Sequence, residues 1–374
     1  MKKQSIMIFG LGDLGGYVLE FLARIPNIPK IITVDINEEW GVRKTNSAIA
    51  GASQFGLYPE IEFIPVDVFD TDSVTDMMRK TEPTIIYNSM TLQSWWVITQ
   101  LPQQDYKAID EARFAPWYPM HFVPIYKLMQ AVEASGIETH VVNAAFPDLV
   151  NPALSKIGLT PTVGIGNIDN IVCSLRQVAA SMFEVPLRSA NIYLVAPHYF
   201  SYYAARYGND GGAPYYLKVM IDDRDVTSQV DRERFLENAV TLAKRPGSVQ
   251  AHPVVASSVC KVVLGILFDT HEIGHAPGPN GLPGGYPVRL SSEGVDVFLP
   301  EGITLDEAVQ LNNDAQVHEG VESIEEDGTV ILTDKSAGIF KDLLDFDCKI
   351  YTIADVEVKA KELDKKFKAW ANKL

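Results

Sequence analysis

Apolar and polar positions along this chain follow two different periods. Over residues 1–147, short runs rich in β-branched residues, SIMIFG, KIITVDI, IEFIPVDV, TIIYNSM and ETHVVNAA, read as strands. Between them lie stretches of helical spacing: Gly15 to Arg24, a region near 42–55, TDSVTDMMRK and FVPIYKLMQAVEASG. Such alternation predicts a parallel sheet covered by helices, a doubly wound α/β domain. The segment LQSWWVITQLPQQDYKAIDEARFAPWYPMHF, after the fourth strand, is too long for a simple connection and rich in aromatic residues. Long insertions beyond strand carboxyl ends commonly build ligand sites.

From 148 the pattern changes. NIDNIVCSLRQVAASMF predicts a helix, SANIYLVAPHYFSYY and PYYLKVMIDDRDVT predict strands, DRERFLENAVTLAK and AHPVVASSVCKVVLGILF predict helices, and PVRLSSEGVDVFL predicts a further strand. Residues 148–300 are therefore expected to form an α+β domain for substrate binding or dimerisation. In 301–374, Thr304 and Glu307 stand at capping-box spacing, a hairpin turns at Asp327 and Gly328, and two more helices follow; this segment is expected to pack back on the rest. The glycine- and proline-rich stretch HAPGPNGLPGGYPVR, 275–289, reads either as an elaborate turn or as a loop closing over a site.

One short motif sharpens the first domain. Gly10, Gly12 and Gly15 form G-x-G-x-x-G between an apolar strand and a helix. Gly10 suits a tight turn, Gly12 lets backbone approach a pyrophosphate, and Gly15 allows close helix–strand packing, with Asp13 and Leu14 completing the loop. The helix N-terminus offers free N–H groups to phosphate. Asp35 closes the second strand 20 residues after Gly15, where a carboxylate accepts from ribose hydroxyls and repels a 2'-phosphate. NAD is thus favoured over NADP, with Arg43 and Lys44 downstream the only features that favour the phosphorylated form. Asp67 and Val68 are placed near the adenine, Asn88 and Ser89 near the nicotinamide ribose, and Asn143 at the next strand end.

Composition narrows the partners. A net charge of -16 opposes association with nucleic acid or an anionic membrane surface. Three scattered cysteines suit a reducing compartment and give no metal-ligand spacing. Lys2 and Lys3 precede an apolar run as in a secretion signal, but the glycines interrupt it, and VVASSVCKVVLGILF is short and carries Lys261. The expectation is a cytoplasmic homodimer acting on a small molecule.

The N-terminal half of the chain resembles the saccharopine dehydrogenase-like group of NAD(P)-binding Rossmann oxidoreductases through GLGDLGG, Asp35, Asp67 and VVNAAFPDLVNPAL leading to VGIGNIDN. That resemblance implies a Rossmann half followed by an α+β substrate and dimer domain, and chemistry on imines, amines or amino acids. It departs at GIGNIDN, which replaces a G-F-D-P-G type segment. Hydride transfer needs a proton donor and acceptor. His198, His121 and Tyr118 are the candidates, with Asp148 as base or orienter of a histidine. Trp95, Trp96, Asn167, Asn170 and Tyr202 are candidate substrate contacts, and Arg206 and Arg289 are candidate carboxylate anchors. The expected function is NAD-dependent hydride transfer with a small amino, imino or hydroxy acid. Two other readings are a bound NAD recycled within epimerase or lyase chemistry, and a non-catalytic NAD-binding sensor or structural protein.

Overall fold

The computed structural model describes residues 4–374, so Lys2 and Lys3 lie outside the described residues. Its centre is a parallel sheet of six strands, β1 (Ser5–Phe9), β2 (Lys30–Asp35), β3 (Ile61–Pro65), β4 (Ile85–Asn88), β5 (His140–Asn143) and β6 (Val163–Gly164). They lie in the order β3-β2-β1-β4-β5-β6, so the order reverses between β1 and β4. Phe9 pairs with Val34 on one side and Asn88 on the other. The alternation within β1 serves two cores: Met7 and Phe9 face one layer, Ile6 and Ile8 the other. The expected doubly wound domain is present. Its sheet extends past 147, because α6 (Pro147–Lys156) crosses over to β6.

The other helices of this half are α1 (Asp13–Leu22), α2 (Glu38–Ser53), α3 (Thr71–Thr81), α4 (Gln103–Asp110) and α5 (Tyr118–Ser135). Neither α4 nor α6 was expected. In α6, Pro147 occupies the first turn, where its missing N–H costs nothing, but Pro152 lies inside the helix. Pro152 cannot donate to the carbonyl of Asp148, which instead accepts from the Gly284 N–H at 3.4 Å. A local irregularity in the helix thus becomes a tether to the glycine-rich loop.

The second unit contains α7 (Ile168–Met182), β7 (Ala190–Val195), α8 (His198–Tyr207), β8 (Tyr216–Ile221), β9 (Arg224–Asp225), α9 (Arg232–Thr241), α10 (His252–Leu267), β10 (Ile273–Pro277), β11 (Gly285–Ser291) and β12 (Gly294–Val297). Its strands make two antiparallel three-stranded sheets, β7-β8-β9 and β10-β11-β12, joined at the bridge between Ala196 and Gly285. Two expectations are corrected here. The strand expected through Tyr203 stops at Val195, and PVRLSSEGVDVFL is a hairpin of two strands. The aromatic run after Val195 is β-like in composition. Yet Tyr199, Tyr203 and Tyr207 recur every fourth residue and their rings touch in sequence, with centroids 5.0 and 4.5 Å apart. Gly208, at φ +68°, ends the helix. The segment Ser248–Leu267 is long and apolar enough to cross a bilayer; here α10 packs against α1 and β11.

The C-terminal segment adds α11 (Leu305–Glu319), β13 (Val321–Ile324), β14 (Val330–Leu332), α12 (Asp334–Leu344), β15 (Ile350–Tyr351) and α13 (Val356–Ala371). The expected capping box forms: Thr304 accepts from Glu307 N–H, and the Glu307 carboxylate accepts from Thr304 N–H at 2.8 Å. Val321, Phe340, Phe346 and Phe367 join the same core as α5 and one face of the parallel sheet.

Candidate active site

The glycine loop turns at Gly10, whose φ of +87° favours glycine. A side chain at Gly15 would come within 1.9 Å of the Gly10 carbonyl oxygen, so α1 can approach β1 only with glycine there. Above Gly12 the space is open: a methyl group would meet nothing within 4 Å. Gly12 also starts α1 with no side-chain cap, leaving the first-turn N–H groups for an anion. Asp35 holds this loop from β2, accepting from Leu11 N–H at 2.7 Å and Asn37 N–H at 2.9 Å. Ser89 braces it from β4, donating to the Gly10 carbonyl at 2.8 Å. Asp13 is exposed and Leu14 half-buried at the mouth. This is an open, uncapped cradle of the kind a dinucleotide pyrophosphate fits. Asp67 accepts from Phe69 N–H at 2.9 Å as a turn, and Val68 is buried in the core.

Asn88 and Asn143, at the ends of β4 and β5, are fully buried and bonded to each other at 2.9 Å. Asn143 passes on to Asn151 at 2.9 Å, and Asn151 to the Gly278 carbonyl at 3.0 Å. The chain of amides fixes the strand ends against α6 and the glycine-rich loop, and these side chains are largely spent on that task.

Beyond β5 and β6 the chain gathers four ionisable groups. His198, the first residue of α8, is 2.6 Å through Nδ1 from Glu319 Oε1, at the end of α11. Among the described residues, none is hydrogen-bonded to its Nε2. Asp148, in the first turn of α6, accepts through Oδ2 from the Asn167 carboxamide, while Oδ1 is buried and unpartnered. Asp148, His198 and Glu319 line one small cavity with Phe146, Gly284, Asn312 and Gln316. Two residues here are held at positive φ: Phe146, which lines the cavity, at +45°, and Asn167, whose side chain bonds Asp148, at +46°. Local strain of this kind concentrates at functional sites.

His121 joins through aromatic contacts. Its ring lies 4.9 Å from that of Phe114, which lies 5.6 Å from His198. Burial pulls His121 down to about 3, with His198's charge adding to the effect, so it stays neutral. Burial also pulls His198 down, but the carboxylates of Glu319 and Asp148 outweigh it and raise the group to about 9. Burial pushes Asp148 up to about 6, against the opposing pull of His198 and Asn167. One histidine thus carries a proton at neutral pH and the other does not.

At the rim, Tyr202 donates to Asp110 at 2.8 Å, and Arg206 bonds the hydroxyls of Tyr106 and Tyr202 while lying 4.0 Å from Asp110. Arg206 is therefore engaged by this cluster rather than free to anchor a carboxylate. The 3-10 turn at Trp95–Gln100 sets Trp95 beside Phe114 and His121, with Trp96 half-buried next to it. Asn170 lies in the first turn of α7, and its buried Oδ1 is unpartnered.

Two candidates are placed elsewhere. Tyr118 is buried between Phe122 and Tyr351, with ring centroids 4.8 and 5.9 Å away, because the C-terminal segment covers that face of α5. Arg289 is exposed on β11 and lies over the Phe298 ring, 4.4 Å from its centroid. Glu319, Asn312, Phe114 and Phe146 line or adjoin the cluster and were not among the candidates; only the helix end at Gly320 marks Glu319 locally. The glycine-rich loop does reach the site, through Gly284.

No family model and no curated protein sequence matches the chain. Solved structures do. It is similar to malate dehydrogenase from Cryptosporidium parvum at 12% identity and a TM-score of 0.60, covering 85% of this chain and 98% of that one. Lactate dehydrogenase from the same organism, solved with lactic acid and nicotinamide adenine dinucleotide, aligns at 14% identity and 0.57, over 85% and 98%. Malate dehydrogenase from Picrophilus torridus aligns at 16% and 0.57, over 84% and 96%. At such identities the likeness is one of fold. It supports the Rossmann-type architecture, and it replaces the expected saccharopine dehydrogenase-like kinship with a likeness to malate and lactate dehydrogenases.

Proposed function

We propose that this chain is an NAD-dependent oxidoreductase that transfers hydride between nicotinamide and a small amino, imino or hydroxy acid, with His198 moving the proton. The observation that carries this reading is the His198–Glu319 pair at the cavity beyond β5 and β6, with Nε2 left free. The uncapped glycine cradle supports NAD: Gly10, Gly12, Leu14 and Gly15 would hold the pyrophosphate, and Asp35 the ribose. The fold likeness to malate and lactate dehydrogenases supports the hydride chemistry.

Bound NAD would supply the hydride acceptor at C4 of its nicotinamide. In oxidation, His198 Nε2 takes the proton of the substrate's hydroxyl or amine as the adjacent carbon loses hydride and a C=O or C=N bond forms. Reduction runs in reverse, with the imidazolium giving that proton back. Because Glu319 keeps His198 protonated at neutral pH, the resting protein is poised to reduce. The exposed side chains of Trp40, Val42, Ile49, Phe55 and Tyr58 on and after α2 support a homodimer as part of this reading.

The test is His198→Gln. NADH binding, read by fluorescence, is expected to persist while turnover falls about 10²–10⁴-fold, the usual contribution of a general acid–base. Undiminished turnover would remove His198 from the mechanism.

A further inference from the structure

We infer that the cavity beside His198 receives a protonated primary amine, so that among the three acid classes the amino acid is the one this protein binds. The inference rests on the proposed hydride-transfer reading and names its substrate.

The argument begins with two acceptors that have no donor. Asp148 Oδ1 and Asn312 Oδ1 are both buried without a partner, on residues only 7% and 1% exposed, and both residues line the cavity. The orientation of Asn312 is fixed, because its Nδ2 donates to the Gly285 carbonyl at 3.3 Å and so leaves the oxygen as the free atom. Asp148 is fixed in the same way by Asn167, which occupies Oδ2. A buried acceptor left empty is costly, so two such oxygens on residues that line one cavity call for an occupant that donates.

The number of donors discriminates among occupants. When His198 is neutral, a substrate hydroxyl spends its one O–H there; when His198 is protonated, the hydroxyl accepts from it and has a donor for only one of the two oxygens. An ammonium has three N–H groups and can serve both orphaned oxygens with one to spare. Size agrees, since the space has room for a group of about water's dimensions.

Charge points the same way. The cavity is lined by the carboxylates of Asp148 and Glu319, one imidazole and the amides of Asn312 and Gln316, and by no lysine or arginine among the described residues. A substrate carboxylate placed here would face two like charges, balanced only by a histidine already paired with Glu319. Even with His198 protonated, the two carboxylates leave one net negative charge at the lining, which favours a cation over a carboxylate.

Pairs of 2-amino and 2-hydroxy acids that share a carbon skeleton, alanine with lactate and 2-aminobutyrate with 2-hydroxybutyrate, serve as probes on the full chain saturated with NAD. By calorimetry the amino member should bind at least tenfold more tightly. Asp148→Asn and Asn312→Ser should each weaken it tenfold or more while changing the hydroxy member less than twofold. Equal or tighter binding of the hydroxy members, a loss of both members alike in the two variants, or no binding of any amino member overturns the inference and leaves a water as the occupant. NADH formation is followed separately. Amine binding that yields no NADH keeps the amine site and removes the hydride-transfer reading; NADH from hydroxy members alone, with no amine bound, does the opposite.

Discussion

An imidazole that holds its proton up to about pH 9 is a donor across the physiological range, and His198 owes this to a carboxylate 121 residues further along the chain. Burial alone would push it the other way, as it does at His121. In the proposed mechanism the partner therefore sets the direction of proton flow. In wild type, carbonyl or imine reduction should hold up to about pH 9 and fall above it as His198 deprotonates. In Glu319→Gln the strongest raising influence is gone, and the break in the pH–rate profile should move down toward or below 6.5, the ordinary histidine value. An unmoved break in the variant would show that Glu319 is merely a structural neighbour. At this scale the sequence was partly legible. The sequence marks His198, His121, Asp148 and Asn167, and these lie together, whereas Tyr118 and Arg289 do not join them. Nothing in the local pattern separates a tyrosine that faces a cofactor from one that will be covered by residues 230 positions away.

The glycine loop shows how one element carries two demands that substitution can separate. At Gly15 a methyl group would press on the Gly10 carbonyl and come within 2.7 Å of Ser89 Oγ. Gly15→Ala should therefore cost about 1–3 kcal/mol of stability and weaken NADH binding as well. At Gly12 the same methyl group meets no protein atom within 4 Å. Gly12→Ala should leave the melting temperature nearly unchanged and still lose tenfold or more in NADH affinity, because only the pyrophosphate would collide with it. Equal affinity for NADH in wild type and Gly12→Ala would place the nucleotide elsewhere. Strand and helix alternation in the first half is readable because the inner strands bury both faces while α1, α2 and α3 each bury one, so burial writes itself into the spacing. The same logic fails where other constraints dominate. In α6, Pro147 and Pro152 disguise a helix; in α8, tyrosines suited to a strand sit at fourfold spacing.

For the whole molecule the C-terminal segment is the keystone of one core. Trp117 meets Phe340 and Phe367 edge-on, each at 5.1 Å, and Tyr351 donates to the Pro116 carbonyl at 2.8 Å. A chain ending at Gly320 would keep Glu319 but bare this face of α5. With each large side chain contributing about 1.5–3 kcal/mol on burial, it should aggregate or bind a hydrophobic dye strongly; a monomeric, cooperatively melting product would show that the segment is dispensable. The sequence indicated that 301–374 packs back, but not onto what, since contacts between distant segments leave no period to read. A consequence follows for synthesis on the ribosome. The glycine cradle and its bracing residues, Asp35 and Ser89, are encoded within the first quarter of the chain, while the partner that arms His198 emerges near the end. On the proposed mechanism, the residues that would hold nucleotide are thus synthesised long before the one that would arm the proton donor.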